Sequence, residues 1–250
     1  MDTISFHDIN KLGNIVEETE LYRQFHFQKM LIMYDSNYLE FKRMPSLLEF
    51  KEKENYLKSY HQKYKQNHLK FHFPENEKLS EELKNYLANS PYDIGFNELY
   101  TILPSQFPYV DSNGKIDIQV VTNRNLQAFL DLNYKHDSEY GKQYAIEKGE
   151  LLKEQFHDSK HLQLVANYEG ISVGYVHIII SDGIVEIDNL HVDQPYQKKG
   201  IGSQLQKAVM DTFPDKRVIL IADGEDTPKE MYRKQNYQYM GYQYEALKTY

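Results

Sequence analysis

The stretch Val185-Glu-Ile-Asp-Asn-Leu-His-Val-Asp-Gln-Pro-Tyr-Gln-Lys-Lys-Gly-Ile-Gly-Ser-Gln-Leu205 decides the fold. It opens as a strand that ends at Val192, and Asp193, Pro195 and Tyr196 then break the chain into a short loop. Gln197-Lys198-Lys199-Gly200-Ile201-Gly202-Ser203 leads from the loop into an amphipathic helix with Leu205, Ala208 and Val209 on one side. Glycines at a loop-to-helix junction let an anion come up to the backbone. The unpaired N–H groups and the dipole of the first turn favour phosphate there. Lys198 and Lys199 add positive charge.

Competing phosphate motifs fail. A P-loop needs Lys-Ser/Thr after its second glycine, but Ser203-Gln204 follows Gly202. The dinucleotide fingerprint lacks its third glycine, and no G-x-S-x-G nucleophile elbow is present.

Outward from this stretch, strands and helices alternate. Strands are expected at 116–121, 162–168, 172–180, 184–192, 217–222 and 237–247. Helices are expected from a Thr122-Asn123 cap to 132, and at 138–156, 200–212 and 227–234. The pattern predicts an α/β fold with a mixed, mostly antiparallel sheet flanked by helices. Pro104, Pro108, Asp111, Asn113 and Gly114 are loop chemistry and place a boundary at 108–114. The domains are then 1–110 and 111–250, the first a smaller α/β domain.

The strand–loop–helix stretch resembles the GNAT superfamily of N-acetyltransferases. The family motif Gln/Arg-x-x-Gly-x-Gly/Ala is matched by Gln197, Gly200 and Gly202, after Leu190, Val192 and Pro195. Met231-Tyr232 and Asn236-Tyr237 resemble a later signature, with Asn-Tyr where the family has Gly-Phe. The resemblance covers 116–250. It implies acetyl-CoA as donor, with the backbone of Leu190, His191 and Val192 along the pantetheine arm and 197–203 (Gln197, Lys198, Lys199, Gly200, Ile201, Gly202, Ser203) around the pyrophosphate. It further implies direct transfer to a primary amine of a small molecule or peptide. Such chemistry needs a base and an acid, and the resemblance points to Glu186 and Tyr232. His191 is the second choice of base, and His177, Asp188 and Asp182 rank lower. Glu186 as a plain strand residue, Tyr232 as packing, and a CoA-binding sensor or scaffold without turnover stay open beside this reading.

Composition narrows the rest. The 250 residues include 29 Lys and Arg against 37 Asp and Glu, a net charge of −8, so nucleic acid is not the expected partner. The acidic balance favours a cationic acceptor. No Cys is present, which excludes disulfides and thiolate metal sites. The ten His show no metal-ligand spacing, and no metal is expected. No signal segment and no run of ~20 apolar residues is visible, so no membrane partner and a cytoplasmic location are expected. An edge strand in either half leaves a homodimer open.

The first half reads β-β-α-β-α-β: strands at 21–33, 37–43, 69–73 and 93–102, and helices from Pro45 to 60 and at 77–87. That is the order of the last six elements of the second half. A shift of 146 residues lays Glu40 on Glu186 and Tyr86 on Tyr232, which suggests a degenerate GNAT-like repeat. At that shift the phosphate cradle falls on Lys51, Glu54 and Tyr56, with no glycine, and Glu54 would repel phosphate. The first half is therefore expected not to bind CoA and to shape the acceptor pocket instead. Its Tyr- and Phe-rich strands read as core.

Overall fold

The computed structural model describes residues 3–225 and 228–250. The chain divides into two compact units. Unit 1 comprises Met1–Leu99, Ala222–Lys229 and Tyr239–Tyr250, and unit 2 comprises Tyr100–Ile221 and Glu230–Gln238.

Unit 2 carries strands β6 (Ile116–Val120), β7 (His161–Tyr168), β8 (Ile171–Ile180), β9 (Ile184–Val192) and β10 (Arg217–Asp223). Its helices are α3 (Leu126–Asp137), α4 (Lys142–Phe156), α5 (Ile201–Thr212) and, from Glu230 on, α6 (Pro228–Lys234). The helix expected from 227 begins at Pro228, and Thr227 lies outside the described residues. β6, β7, β8 and β9 pair antiparallel in that order, and β10 joins β9 in parallel. The hairpins follow from turn residues in left-handed backbone, Glu169-Gly170 with φ of 49° and 84° and Gly183 with φ of 74°. A parallel neighbour needs a crossover, and α5 supplies it. Phe129, Leu130 and Leu132 of α3 and Leu152 of α4 bury against Val165 and Tyr175 of the sheet. α3 starts at Leu126 with Asn125 before it, later than the Thr122-Asn123 cap expected. Thr122 and Asn125 bond to each other ahead of the helix instead.

Unit 1 repeats the plan. β1 (Asn14–Glu18), β2 (Tyr22–His26) and β3 (Tyr38–Phe41) pair antiparallel, and β4 (His68–His72) joins β3 in parallel after the crossover α1 (Leu47–Lys63). α2 (Glu81–Ala88) and β5 (Asp93–Ile102) follow. The strand expected at 21–33 is cut to Tyr22–His26, because tight turns run through Met30, Met33 and Ser36. β1 has mostly exposed residues and so lacks the apolar alternation that reveals a strand. α1 starts two residues after Pro45 because Ser46 caps it. Tyr22, Phe41, Phe71 and Phe73 lie in the core of this unit.

The strand β11 (Gln238–Thr249) was expected to finish the second half, but it pairs antiparallel with β4, from Glu245↔His72 to Thr249↔His68. The strand order of unit 1 is thus β1-β2-β3-β4-β11-β5. Among the described residues no helix is long and apolar enough to cross a membrane.

Candidate active site

Two parallel strands that part company create the site. β9 and β10 pair from Ile184↔Arg217 to Ile187↔Leu220, and the register stops there although β9 runs on to Val192. At the same point the β8 register slips, from His177↔Asn189 to Ile178↔Ile187, so Asp188 is a bulged residue. A bulge bends and twists its strand, here where β9 leaves β10. Beyond Ile187 the outer edge of β9 has no ladder partner in β10, and its backbone N–H and C=O groups need partners of another kind. β8 holds the other edge closely: a Cβ on Gly174 would lie 2.8 Å from His191 O.

The loop after β9 is folded back onto it. Gln197 Nε2 donates to Val192 O at 3.1 Å. Lys198 and Gly200 both adopt left-handed backbone, with φ of 61° and 86°, and Gly200 caps α5. The first helical bond runs from Gln204 N–H to Gly200 O at 3.0 Å. The amides of Ile201, Gly202 and Ser203 precede that ladder and have no acceptor within the helix. A Cβ on Gly202 would meet only Leu190 Cδ2, at 3.8 Å, so the approach to these amides is open. Lys199 Nζ stands over the rings of Tyr168 and Tyr196, at 4.8 and 5.0 Å from their centroids. The unpaired amides and the helix dipole suit a phosphate group, and Lys199 adds positive charge to the same loop.

α6 is held beside the start of α5. Gln235 Nε2 donates to Ser203 Oγ at 3.3 Å and Tyr237 OH donates to Gln206 Oε1 at 2.9 Å. The Asn236-Tyr237 departure from Gly-Phe costs little. Asn236 takes the left-handed φ of 66° that glycine would take. Its N–H donates to Arg233 O at 3.1 Å, and Tyr237 N–H donates to Tyr232 O at 3.0 Å, which closes the helix end. Tyr232, half-buried, packs its ring 5.3 Å from Tyr100 and 5.5 Å from Tyr237.

The residues singled out in the sequence therefore fall in four places. Leu190, His191 and Val192 lie on the open edge of β9, and 197–203 lies at the start of α5. Glu186 is buried in the closed part of β9, opposite Ile179 of β8 and Ile219 of β10. Tyr232 is on α6.

A polar chain crosses three strands beside the bulge. Asp188 Oδ2 lies 3.0 Å from His177 Nδ1, and His177 Nε2 lies 3.1 Å from His161 Nδ1. A second cluster centres on Tyr175, whose hydroxyl lies 3.0 Å from His136 Nδ1 and accepts from Asn189 Nδ2 at 3.4 Å. His191 stacks on His136 with ring centroids 4.0 Å apart. Burial, then the neighbouring His136, lowers the His191 imidazole. The sequence reading missed His161, His136, Tyr175 and Asn189. Hairpin arithmetic about the 169–170 turn would not have found the first: it pairs 161 with 178, and only the irregularity between Ala166 and Asn167 moves the partner of His161 to Ile179 and leaves His177 diagonal. Among the described residues no group of three or more His, Asp or Glu is placed to hold a metal ion.

The corresponding helix start in unit 1 is closed. The Ser46 hydroxyl accepts from Glu49 N–H at 3.3 Å, while the Glu49 carboxylate accepts from Ser46 N–H at 2.9 Å and pairs with Arg43 at 2.6 Å. The chain's own carboxylate thus occupies the anion position. The positions expected to stand for the cradle lie elsewhere. Lys51, Glu54 and Tyr56 are inside α1, because the loop before α1 is shorter than the one before α5 and the 146-residue shift fails there. Glu54 accepts from Tyr86 OH at 2.7 Å and Tyr92 OH at 2.8 Å, with Lys248 at 3.4 Å.

Comparisons with known proteins bear on the domains and the fold. Residues 131–246 match the model of an acetyltransferase (GNAT) domain, and residues 4–100 match a separate domain of unknown function (DUF5613). A functionally unknown conserved protein from Staphylococcus epidermidis is 32% identical in its crystal structure, over 98% of each chain, with a TM-score of 0.89. A GCN5-related N-acetyltransferase from Kribbella flavida is 13% identical, covers 94% of this chain and 88% of its own, and has a TM-score of 0.64. A tandem GNAT protein from the clavulanic acid biosynthesis pathway is 8% identical over 84% of this chain and 74% of its own, with a TM-score of 0.54. The last two likenesses are of fold alone. No curated protein shows significant similarity to the chain.

Proposed function

Through its second half the chain belongs to the GNAT superfamily, and on that premise we propose that it is an acetyl-CoA-dependent N-acetyltransferase acting on a primary amine of a small molecule or peptide. The observation that carries this reading is the opening of β9 from β10 at Ile187 and Leu220, directly before the glycine loop.

The residues fit the donor. The open edge of β9 at 190–192 offers peptide-like pairing to an extended amide chain. The free amides of Ile201, Gly202 and Ser203 suit a pyrophosphate, and the glycine at 202 leaves them accessible. Acetyl-CoA supplies an acyl thioester whose thiolate leaves. The amine nitrogen forms the new N–C bond, the C–S bond breaks, and its electron pair leaves on sulfur. Glu186 takes the proton of the amine, directly or through a water, and the Tyr232 hydroxyl protonates the thiolate. A backbone N–H at the end of β9 steadies the charge that develops on the carbonyl oxygen.

Calorimetric titration of acetyl-CoA into the protein and into a Gly202→Glu variant tests the donor site. Saturable micromolar binding that the variant loses supports it, and absence of binding overturns it. Acceptor-dependent thiol release, lowered in Glu186→Gln and Tyr232→Phe, separates turnover from binding alone. Thiol release that no amine stimulates would leave only a CoA-binding protein.

A further inference from the structure

A groove of about 310 Å³ lies in unit 1 at the carboxyl ends of two parallel strands. β3 and β4 pair only through Leu39↔Phe71 and Glu40↔His72. Glu40, Phe41 and Lys42 line the groove from the β3 side, and Pro74, Glu75 and Glu77 line it from the β4 side. Open α/β sheets place their ligands at the carboxyl ends of such strands. The volume is at the small end of the ~300–1,000 Å³ of ligand pockets, so the guest is of metabolite size. A phosphate at the start of α1 is ruled out, because Glu49 fills the anion position there.

The two sides differ in charge. On the β3 side Arg23 Nε lies 2.8 Å from Glu18 and Arg23 Nη1 lies 3.8 Å from Glu40. Lys42 Nζ lies 3.3 Å from Glu18, and Lys11 Nζ lies 2.6 Å from Glu40. Three cations against two carboxylates leave a positive surplus. The Arg23 fork carries five N–H donors, and its Nη2 has no hydrogen-bond partner among the described residues. On the β4 side neither Glu75 nor Glu77 pairs with a cation among the described residues. Glu75 Oε2 accepts from the Phe6 N–H at 3.0 Å. Gln243 of β11 also lines the groove. It is 7% exposed, yet its side-chain amide has no hydrogen-bond partner among the described residues. A buried amide without a partner is costly, and a polar guest in the groove would remove that cost.

We propose that this groove binds a free α-amino acid, with its carboxylate on the Arg23 guanidinium and the Gln243 amide and its ammonium on Glu75 and Glu77. A zwitterion answers both ends of the charge pattern. An inorganic anion would face the carboxylates of Glu75 and Glu77, and a simple amine would leave Arg23 and Gln243 unanswered. Unit 1 then has a ligand site made wholly of its own residues.

The test titrates the common amino acids singly, at millimolar concentration, into the whole protein by calorimetry without acetyl-CoA. The expected result is saturable binding of at least one of them, and none of its decarboxylated amine or its deaminated acid. Arg23→Gln and Glu75→Gln should each lose about tenfold in affinity, and glutamine at 75 keeps an acceptor for the Phe6 N–H. Gln243→Leu replaces an unpartnered amide by an apolar group of similar size. Its thermal midpoint without ligand should hold or rise, while its affinity falls. Failure of every amino acid to bind overturns the proposal. Binding that Arg23→Gln, Glu75→Gln or Gln243→Leu leaves intact overturns it as well, because the amino acid then sits elsewhere. Equal binding of the amine or of the deaminated acid overturns it by showing that only one end is read.

Discussion

His177 Nδ1 sits 3.0 Å from Asp188 Oδ2, and this bond ties the middle of β8 to the bulged residue of β9. Burial alone would raise the Asp188 carboxyl, but the hydrogen bond and charge of His177 outweigh it and bring the carboxyl to about 2. The folded value lies below the ~3.9 of a free aspartate. The stabilisation is therefore complete above pH ~4 and is lost as pH falls towards 2. With 34% of the Asp188 side chain exposed, screening leaves about 1–2 kcal/mol. Asp188→Asn should lower the unfolding free energy in urea by that amount at pH 7, and the gap should close between pH 4 and 2. A gap unchanged at pH 3 and below would count against the pair.

Two glycines near the opening should respond in opposite ways. Gly174→Ala brings a methyl to 2.8 Å from His191 O and 3.3 Å from Val192 Cγ2, so β9 must move. Overpacking of this kind costs about 1–3 kcal/mol, and acetyl-CoA affinity should fall with it. Gly202→Ala meets only Leu190 Cδ2 at 3.8 Å and should leave the thermal midpoint nearly unchanged. Thermal melts and calorimetry on both variants check the contrast.

Acid should weaken unit 1 before it reaches the carboxylate range. His61 and His68 are fully buried, and burial lowers both imidazoles to about 4. His61 Nδ1 lies 2.6 Å from His68 O, and His68 Nε2 lies 2.8 Å from Asn37 O. Their folded values lie below the ~6.5 of an unfolded histidine, so stability is full above pH ~6.5 and falls as pH drops towards 4. Each group contributes a loss of up to about 3 kcal/mol by pH 4. Urea unfolding at pH 7, 6 and 5 measures the slope, which His68→Gln should reduce by about one proton. A flat profile in the wild type would refute the assignment.

Glu54 should matter to structure alone. It gathers the Tyr86 hydroxyl of α2, the Tyr92 hydroxyl just before β5 and the Lys248 ammonium of β11. Glu54→Leu leaves the buried Tyr92 hydroxyl without its acceptor and should cost about 2–4 kcal/mol in urea unfolding. A cost under about 0.5 kcal/mol would show that the cluster is only surface decoration.

Much of this architecture was legible in the sequence. The strand 185–192, the glycine loop and α5 could be placed because period-two and period-3.6 patterns meet there at Gly200. β1 could not, because its residues face solvent on both sides. The aromatic strands of the first half were recognised as core, and Phe71 and Phe73 lie there. Less visible was everything that depends on contacts distant in the chain. His161 and His177 meet only through a hairpin register, and Tyr175 meets His136 only once α3 packs on the sheet. The expected Lys51, Glu54 and Tyr56 failed as counterparts because a repeat shift holds for strands and breaks at loops of unequal length.

The pairing of β11 with β4 has a consequence for synthesis. A ribosome releases β1 to β5 with the slot between β4 and β5 empty, and it makes all of β6 to α6 before the strand that fills it emerges. Until then the edges of β4 and β5 that face the slot stand open. Such long-range pairing slows folding. During that wait a chaperone or the corresponding strand of another copy can compete for the slot, so the yield of correctly folded chain should depend on how fast the second half is translated.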